Sequence, residues 1–176
     1  MDVILLPNWI ENVLTVKGET EDLLIFLDKH LIGSWFKFDT VIPQPVTREE
    51  CPKEYLVSDE IESRRLKEDP PMSYPGDKTW FDWYNWNRDK WGCKWESQGF
   101  NPISKDMIKA EKITEITLKF TTAWTAPIPV VKALSVLYPR LGFILEYYSF
   151  ESMVTGTVYL NGNDEFVFEE YNLQEQ

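Results

Sequence analysis

Few residues of this chain have the type and spacing that chemistry requires. Three carboxylates, Asp77, Asp82 and Asp89, stand close together beside a run of tryptophans. Oxygen ligands of this kind hold magnesium when they converge, but in a chain with 29 acidic residues three neighbours more commonly form a solvated face. His30 is the single histidine. Near a helix C-terminus its ordinary role is a charge favourable to the helix dipole. Without a second histidine or clustered cysteines, a zinc site lacks ligands. Cys93 has a neighbour, Lys94, able to lower a thiol pKa; flanked by tryptophans, it reads instead as a small packed residue. Cys51 lies far from it and the two form no CxxC pair, as befits free thiols of a cytosolic protein. There is no glycine-rich phosphate loop, no G-x-S-x-G and no H-E-x-x-H. The chain is therefore read as non-enzymatic, with no catalytic, metal-binding or cofactor-binding residue and no cofactor.

Charge narrows the partners. The formal net charge is −11 at 176 residues, with 15% aromatic content. An acidic protein lacks the basic footprint that releases phosphate counterions, so direct nucleic-acid binding is not expected. Nor is docking on an anionic membrane. The N-terminus has no basic region ahead of its short apolar run, and no segment approaches the ~20 apolar residues of a membrane span. A cytoplasmic location, in the host cell, is the expectation.

The elements that must position any site are readable from periodicity. Five of the eight tryptophans fall between Thr79 and Trp95. A helix is expected here, with Thr79 and Asp82 as a capping box. Trp80, Trp83, Tyr84 and Trp91 would share its buried face, Trp95 would extend it, and Gly92 would end it. Trp86, Trp91 and Trp95 are expected to be largely buried. Ahead of this block, Trp9–Val16 reads as a strand. A helix over 20–32 follows, capped by Thr20, with Leu23, Leu24, Leu27 and Leu31 inward and Gly33 as its stop. Trp35, Phe36, Phe38, Val41 and Ile42 suggest a second strand. After the block, Lys94–Phe100 is a short extended piece, and Ile113–Trp124 is a strand of alternating Ile, Leu, Phe and Thr. A helix over 127–138 is opened by its prolines, with Val130, Ala133, Leu134 and Leu137 inward. Phe143–Phe150 is a strand, and Val154–Leu160 pairs with Glu165–Glu169 across Asn161-Gly-Asn-Asp.

Two βαβ halves predict an α+β fold: a ferredoxin-like (split βαβ) antiparallel sheet with two helices on one face. A charged, Trp-rich helical insertion at about 46–110 and a C-terminal hairpin complete a single domain over 1–176.

Several short patterns then coincide. Pro7-Asn8-Trp9-x-x-Asn12 runs into the first strand, and Ile42-Pro-x-Pro ends the second. Asn85-Trp86-Asn-x-x-x-Trp91-Gly92-x-Lys94-Trp95 carries the helix, and Phe120-Thr-Thr-Ala123-Trp124 precedes Pro127. Together they resemble the YubB-type ferredoxin-like domain proteins of phages and conjugative plasmids. The resemblance spans most of the chain. It implies the fold and a home on mobile genetic elements, and no agreed reaction.

Two function classes remain open. The first is an inhibitor that occupies a host protein, a basic nucleic-acid-handling one among the candidates, by an acidic surface. Glu49, Glu50, Asp59, Glu60, Glu62, Glu68 and Asp69 would form it, joined by Glu165, Glu169 and Glu170. On a mobile element such a role includes counter-defence, inhibition of a CRISPR effector among its forms. Arg48, Arg64, Arg65 and Lys67 interrupt that charge, and ordinary solubility is the plainer reading. The second class is an RRM-like nucleic-acid-binding module, stacking bases on Trp9, Phe120, Trp124, Tyr147 and Tyr148 of the open sheet face. The tryptophan helix would then cover part of that face.

Overall fold

The computed structural model describes residues 8–33, 35–65, 78–99, 101–161 and 164–172, with Arg65 and 164–172 as backbone only. In chain order the elements are strand β1 (Trp9–Lys17), helix α1 (Thr20–His30) and two-residue strands β2 (Leu31–Ile32) and β3 (Trp35–Phe36). Helices α2 (Asp59–Arg65), α3 (Trp83–Lys90) and α4 (Lys105–Glu111) follow. Strand β4 (Glu115–Ala123), helix α5 (Ile128–Leu137) and strands β5 (Gly142–Ser149), β6 (Val154–Asn161) and β7 (Asp164–Asn172) complete the chain.

Alternation sets the main sheet. Ile10, Asn12, Leu14 and Val16 of β1 are buried, as are Ile116, Leu118, Phe120 and Thr122 of β4 and Phe143, Leu145, Tyr147 and Ser149 of β5. In register, Leu14 stands between Leu118 and Leu145, so these residues share one face. The strand order is β4-β1-β5-β6-β7, antiparallel throughout. The helix α5 joins β4 to β5 with β1 between them, which is the split βαβ of a ferredoxin-like sheet. The expected C-terminal hairpin is present as β6 and β7, although 162–163 of its turn, Met1–Leu6 and the tail after Asn172 lie outside the described residues.

Phe26 of α1 meets Phe143 on the buried face, its ring 6.0 Å away, and Tyr138, just past α5, meets Phe26 at 5.8 Å. The buried residues of α1 are Asp22, Leu23, Phe26, Leu27 and His30, so Leu24 and Leu31 of the expected stripe lie partly exposed. The helix stops at His30 rather than residue 32 because Leu31 turns extended to pair with β3. Thr20 does not cap it: its hydroxyl donates to the Ile113 carbonyl instead. In α5 the inner face is Val130, Val131, Leu134 and Ser135, and Leu137 is exposed. Asp22 is buried because Arg140 pairs with it from beyond α5.

The second strand is the main departure. Residues 35–42 contribute only β3, paired with β2 in a separate two-stranded sheet, and then a 3-10 turn at Phe38–Thr40. Beyond the β2 pairing and the 3-10 turn, two side chains take the place of a main-sheet ladder. The Phe36 N–H donates to Ser97 Oγ, which donates back to the Phe36 carbonyl, and the Phe38 N–H donates to Glu96 Oε2 at 2.6 Å. The outer edge of β4 goes instead to the expected extended piece: Gln98 and Thr121 exchange backbone hydrogen bonds, and the Lys94 N–H reaches the Ala123 carbonyl. Further along, the Asn101 side chain accepts from the Lys119 N–H and donates to the Thr117 carbonyl, as a paired strand would. Helix α4 was not anticipated. Its signal is Ser104, whose hydroxyl accepts from the Met107 N–H.

Candidate functional site: an aromatic end of the sheet and its cleft

The tryptophan block begins later than the capping box suggested. Asp82, not Thr79, is the N-cap, accepting from the Asn85 N–H at 3.3 Å. The start at Trp83 turns Trp86 and Asn87 inward. Trp83 and Tyr84 are half-buried, and Trp80 precedes the helix, so the predicted shared face does not form. Trp86 and Trp91 are buried, their rings edge-to-face at 5.5 Å, and Trp91 also meets Phe38 at 6.0 Å. The Trp91 indole N–H donates to the Ile42 carbonyl at 2.8 Å. Since Phe38 meets Phe120 of the buried face edge-on, the helix of the block extends the helical layer, and Trp95 beyond it reaches Trp9 at the end of the open sheet face. Trp95 is only half-buried, because it has left the helix for the β4 edge.

Gly92 ends α3 with φ +79°, the conformation that favours glycine. A Cβ there would stand 2.6 Å from Pro129 Cδ at the start of α5. Gly92→Ala should therefore lower stability by about 1–3 kcal/mol, from left-handed strain and overpacking together. A denaturation midpoint equal to that of the unsubstituted chain would refute this account.

The short patterns of the sequence converge at one end of the sheet. Trp9 pairs in register with Ala123, and the Asn8 carbonyl accepts from the Trp124 N–H at 2.7 Å. Asn12, buried, donates to Thr122 Oγ1 at 2.9 Å and to the Ile10 carbonyl, and Thr122 donates to the Thr125 carbonyl. The Thr125 hydroxyl in turn reaches the Gly92 carbonyl. Over this frame lies a cluster of rings. Trp9 and Trp95 are 6.1 Å apart, and Tyr84 and Trp124 are 5.7 Å apart. The Lys94 ammonium stands 4.4 Å from the Trp95 ring and 4.6 Å from the Trp124 ring. Trp124 has φ +79° and is 39% exposed.

Beside this cluster opens a cleft of about 590 Å³. Trp83 and Trp95 are among its walls, with Asp39, Glu96, Gln44 and Gln98 around them. Burial and the neighbouring Asp39 charge raise the Glu96 pKa, outweighing the Phe38 and Asp39 N–H groups and Lys37 that favour its ionised form.

The remaining candidates are placed as follows. Asp82 is occupied in capping and Asp89 accepts from Tyr55 at 3.0 Å; Asp77 lies outside the described residues. Among the described residues no group of three or more His, Cys, Asp or Glu is placed to hold a metal ion. Cys93 is buried, its thiol donates to the Trp95 carbonyl, and burial drives its pKa far up, so Lys94 does not activate it. His30 is not a helix-end charge. It is buried between Thr40 Oγ1 at 2.7 Å and Tyr138 Oη at 2.8 Å, and its pKa falls to about 4 chiefly by desolvation.

The acidic excursion is not a bare negative surface. Glu50 accepts from the Val46 and Thr47 N–H groups, and Glu62 pairs with Arg48 at 2.7 Å, with Asp59 3.5 Å from the same guanidinium. Glu49 and Glu60 are exposed. Glu68 and Asp69 lie outside the described residues, and Glu165, Glu169 and Glu170 are placed only by their backbone on β7. Of the aromatics assigned to the open face, Phe120 and Tyr147 point into the core, because they are in phase with Leu118 and Leu145. Trp9 and Tyr148 remain in phase with that face, among Glu11, Lys119 and Glu146.

Residues 90–174, a little under half of the chain, match a family model described as a ferredoxin-like domain in Api92-like protein. No curated protein matches the chain. Among solved structures, the crystal structure of protein Api92 from Yersinia pseudotuberculosis aligns with a TM-score of 0.54 at 9% identity, over 94% of this chain and 98% of that one. At this identity the likeness is one of fold. It agrees with the strand order above, and it meets the resemblance to YubB-type proteins at the level of the ferredoxin-like domain. No helix of the described residues is long and apolar enough to cross a membrane.

Proposed function

We propose that the chain is a non-enzymatic binding protein that captures a protein partner at the aromatic end of its sheet. The observation that carries this reading is Trp124. A bulky residue held at positive φ costs about 1–2 kcal/mol that glycine would not incur, yet its indole is 39% exposed. The backbone alone favours glycine there, and the contacts of the ring with Tyr84 and Lys94 do no more than offset that cost, while its exposed part is left for a partner. Exposed, pre-positioned tryptophans are common anchors of protein interfaces. The net charge of −11 favours a basic partner and steers its approach. On the resemblance to phage and plasmid proteins, that partner is a host protein, nucleic-acid-handling in kind, and the role is inhibition such as counter-defence.

The test is capture from host lysate with the unsubstituted chain and with Trp124→Gly, at low and raised salt. The expected outcome is one basic protein retained by the former, weakened by salt and lost by the variant, whose own stability should change by less than about 1 kcal/mol as backbone relief offsets lost packing. Equal retention by both would refute the assignment. Direct capture of nucleic acid by the purified protein would favour the RRM-like alternative.

A further inference from the structure

We propose that the cleft bounded by Trp83, Trp95, Asp39 and Glu96 receives the guanidinium of an arginine side chain presented by the protein partner. The inference rests on the partner reading above and adds the chemistry of what is recognised. The volume suits a side chain or small ligand. Three indoles stand in its wall, Trp91 buried and Trp83 and Trp95 half-buried, and a planar, weakly hydrated guanidinium stacks on such faces better than an ammonium does.

The polar groups favour a donor-rich cation. Asp39 Oδ1 accepts from the Gln44 N–H at 2.7 Å, while Oδ2 makes no hydrogen bond to the described residues. The Gln44 amide gives its NH₂ to Asn87 Oδ1, leaving its own oxygen as an acceptor. The Gln98 side chain is likewise uncommitted among the described residues. Charge points the same way. Glu96 and Asp39 are neighbours, with the Asp39 N–H 3.2 Å from Glu96 Oε1; Lys37, which also lines the cleft, lies over the Trp35 ring at 5.6 Å, and Lys94 lies over the Trp95 ring from outside the lining. Within the lining, two carboxylates against Lys37 leave a negative balance, which disfavours a phosphate. A neutral sugar would stack on the indoles but leave that balance unmet.

The test uses the full chain and N-acetyl-arginine amide, followed by the indole N–H signals of Trp83 and Trp95 in NMR titration. N-acetyl-lysine amide and glucose are the comparison probes. A saturable shift of both signals, stronger for the arginine derivative than for either comparison, is expected. Asp39→Asn should weaken it about tenfold, the size of a lost charge-assisted hydrogen bond. Lys37→Gln should strengthen it, a change of opposite sign that damage to the fold would not produce. Unmoved indole signals, an equal response to lysine or glucose, or variants that leave the affinity unchanged would each overturn the inference. The two readings fail separately. Arginine binding with no captured protein would sink the partner reading, and partner capture without an arginine response would sink this one.

Discussion

Replacing Trp91 by alanine should cost about 3–5 kcal/mol of stability, the range for deleting a buried tryptophan. The indole is buried, edge-to-face with both Trp86 and Phe38, and its N–H satisfies the Ile42 carbonyl. Truncation removes those contacts and also strands a carbonyl at the end of the 35–42 segment. Trp91→Phe separates the two contributions, since it keeps a ring and loses only the donor. The expected order of chemical denaturation midpoints is unsubstituted, then phenylalanine, then alanine. An alanine variant with an unmoved midpoint would mean that the block is not part of the core.

Stability should also fall as pH drops from about 6.5 to about 4, through His30. The Thr40 hydroxyl already donates to the Lys37 carbonyl, so it accepts from His30 Nδ1–H, which leaves Nε2 to accept from the Tyr138 hydroxyl. The ring is thus held neutral with its proton on Nδ1, and the folded-state pKa is lowered to about 4. The unfolded chain takes up the proton near 6.5. Between these values the unfolded state binds more protons, so stability rises with pH, and the loss on acidification saturates below about 4. The full effect is about 3 kcal/mol. Carboxylates titrate in the same range, so the measurement is the difference between the unsubstituted chain and His30→Gln across pH 7 to 4. Parallel stability profiles would refute the linkage.

The determinants of this fold, local and distant, are unevenly legible in the sequence. Strands β1 and β4 were readable because one face of each is buried, so alternation is imposed residue by residue. Gly92 was readable because a positive φ leaves few alternatives to glycine. The second strand misleads because Phe36, Phe38 and Val41 are as apolar as a strand requires, whereas the Phe36 and Phe38 N–H groups pair with Ser97 and Glu96, about sixty positions away in sequence, and the Val41 N–H with the Phe38 carbonyl. Nothing local announces a side chain that replaces a ladder. His30 misled for a related reason: its position near a helix end suggested a charge, and burial against Thr40 and Tyr138 decided otherwise. For the site, the motif residues Asn8, Trp9, Asn12, Lys94, Trp95 and Trp124 were all marked, but their meeting at one end depended on sheet register. The acidic residues were marked by abundance, which says nothing of Arg48 and backbone N–H groups already engaging several of them.

The edge of β4 carries one more consequence. The alternate residues of this nine-residue strand that do not bond to β1 would otherwise present unpaired backbone groups to solution. They are covered by Gln98, Lys94 and the strand-mimicking amide of Asn101, all downstream of the tryptophan helix. Loosening the block therefore does more than weaken the core: it unclasps a template for intermolecular pairing. Variants such as Trp91→Ala should lose solubility at temperatures where the sheet itself is still folded, and the tryptophans serve, in that respect, as the protein's protection against polymerising with itself.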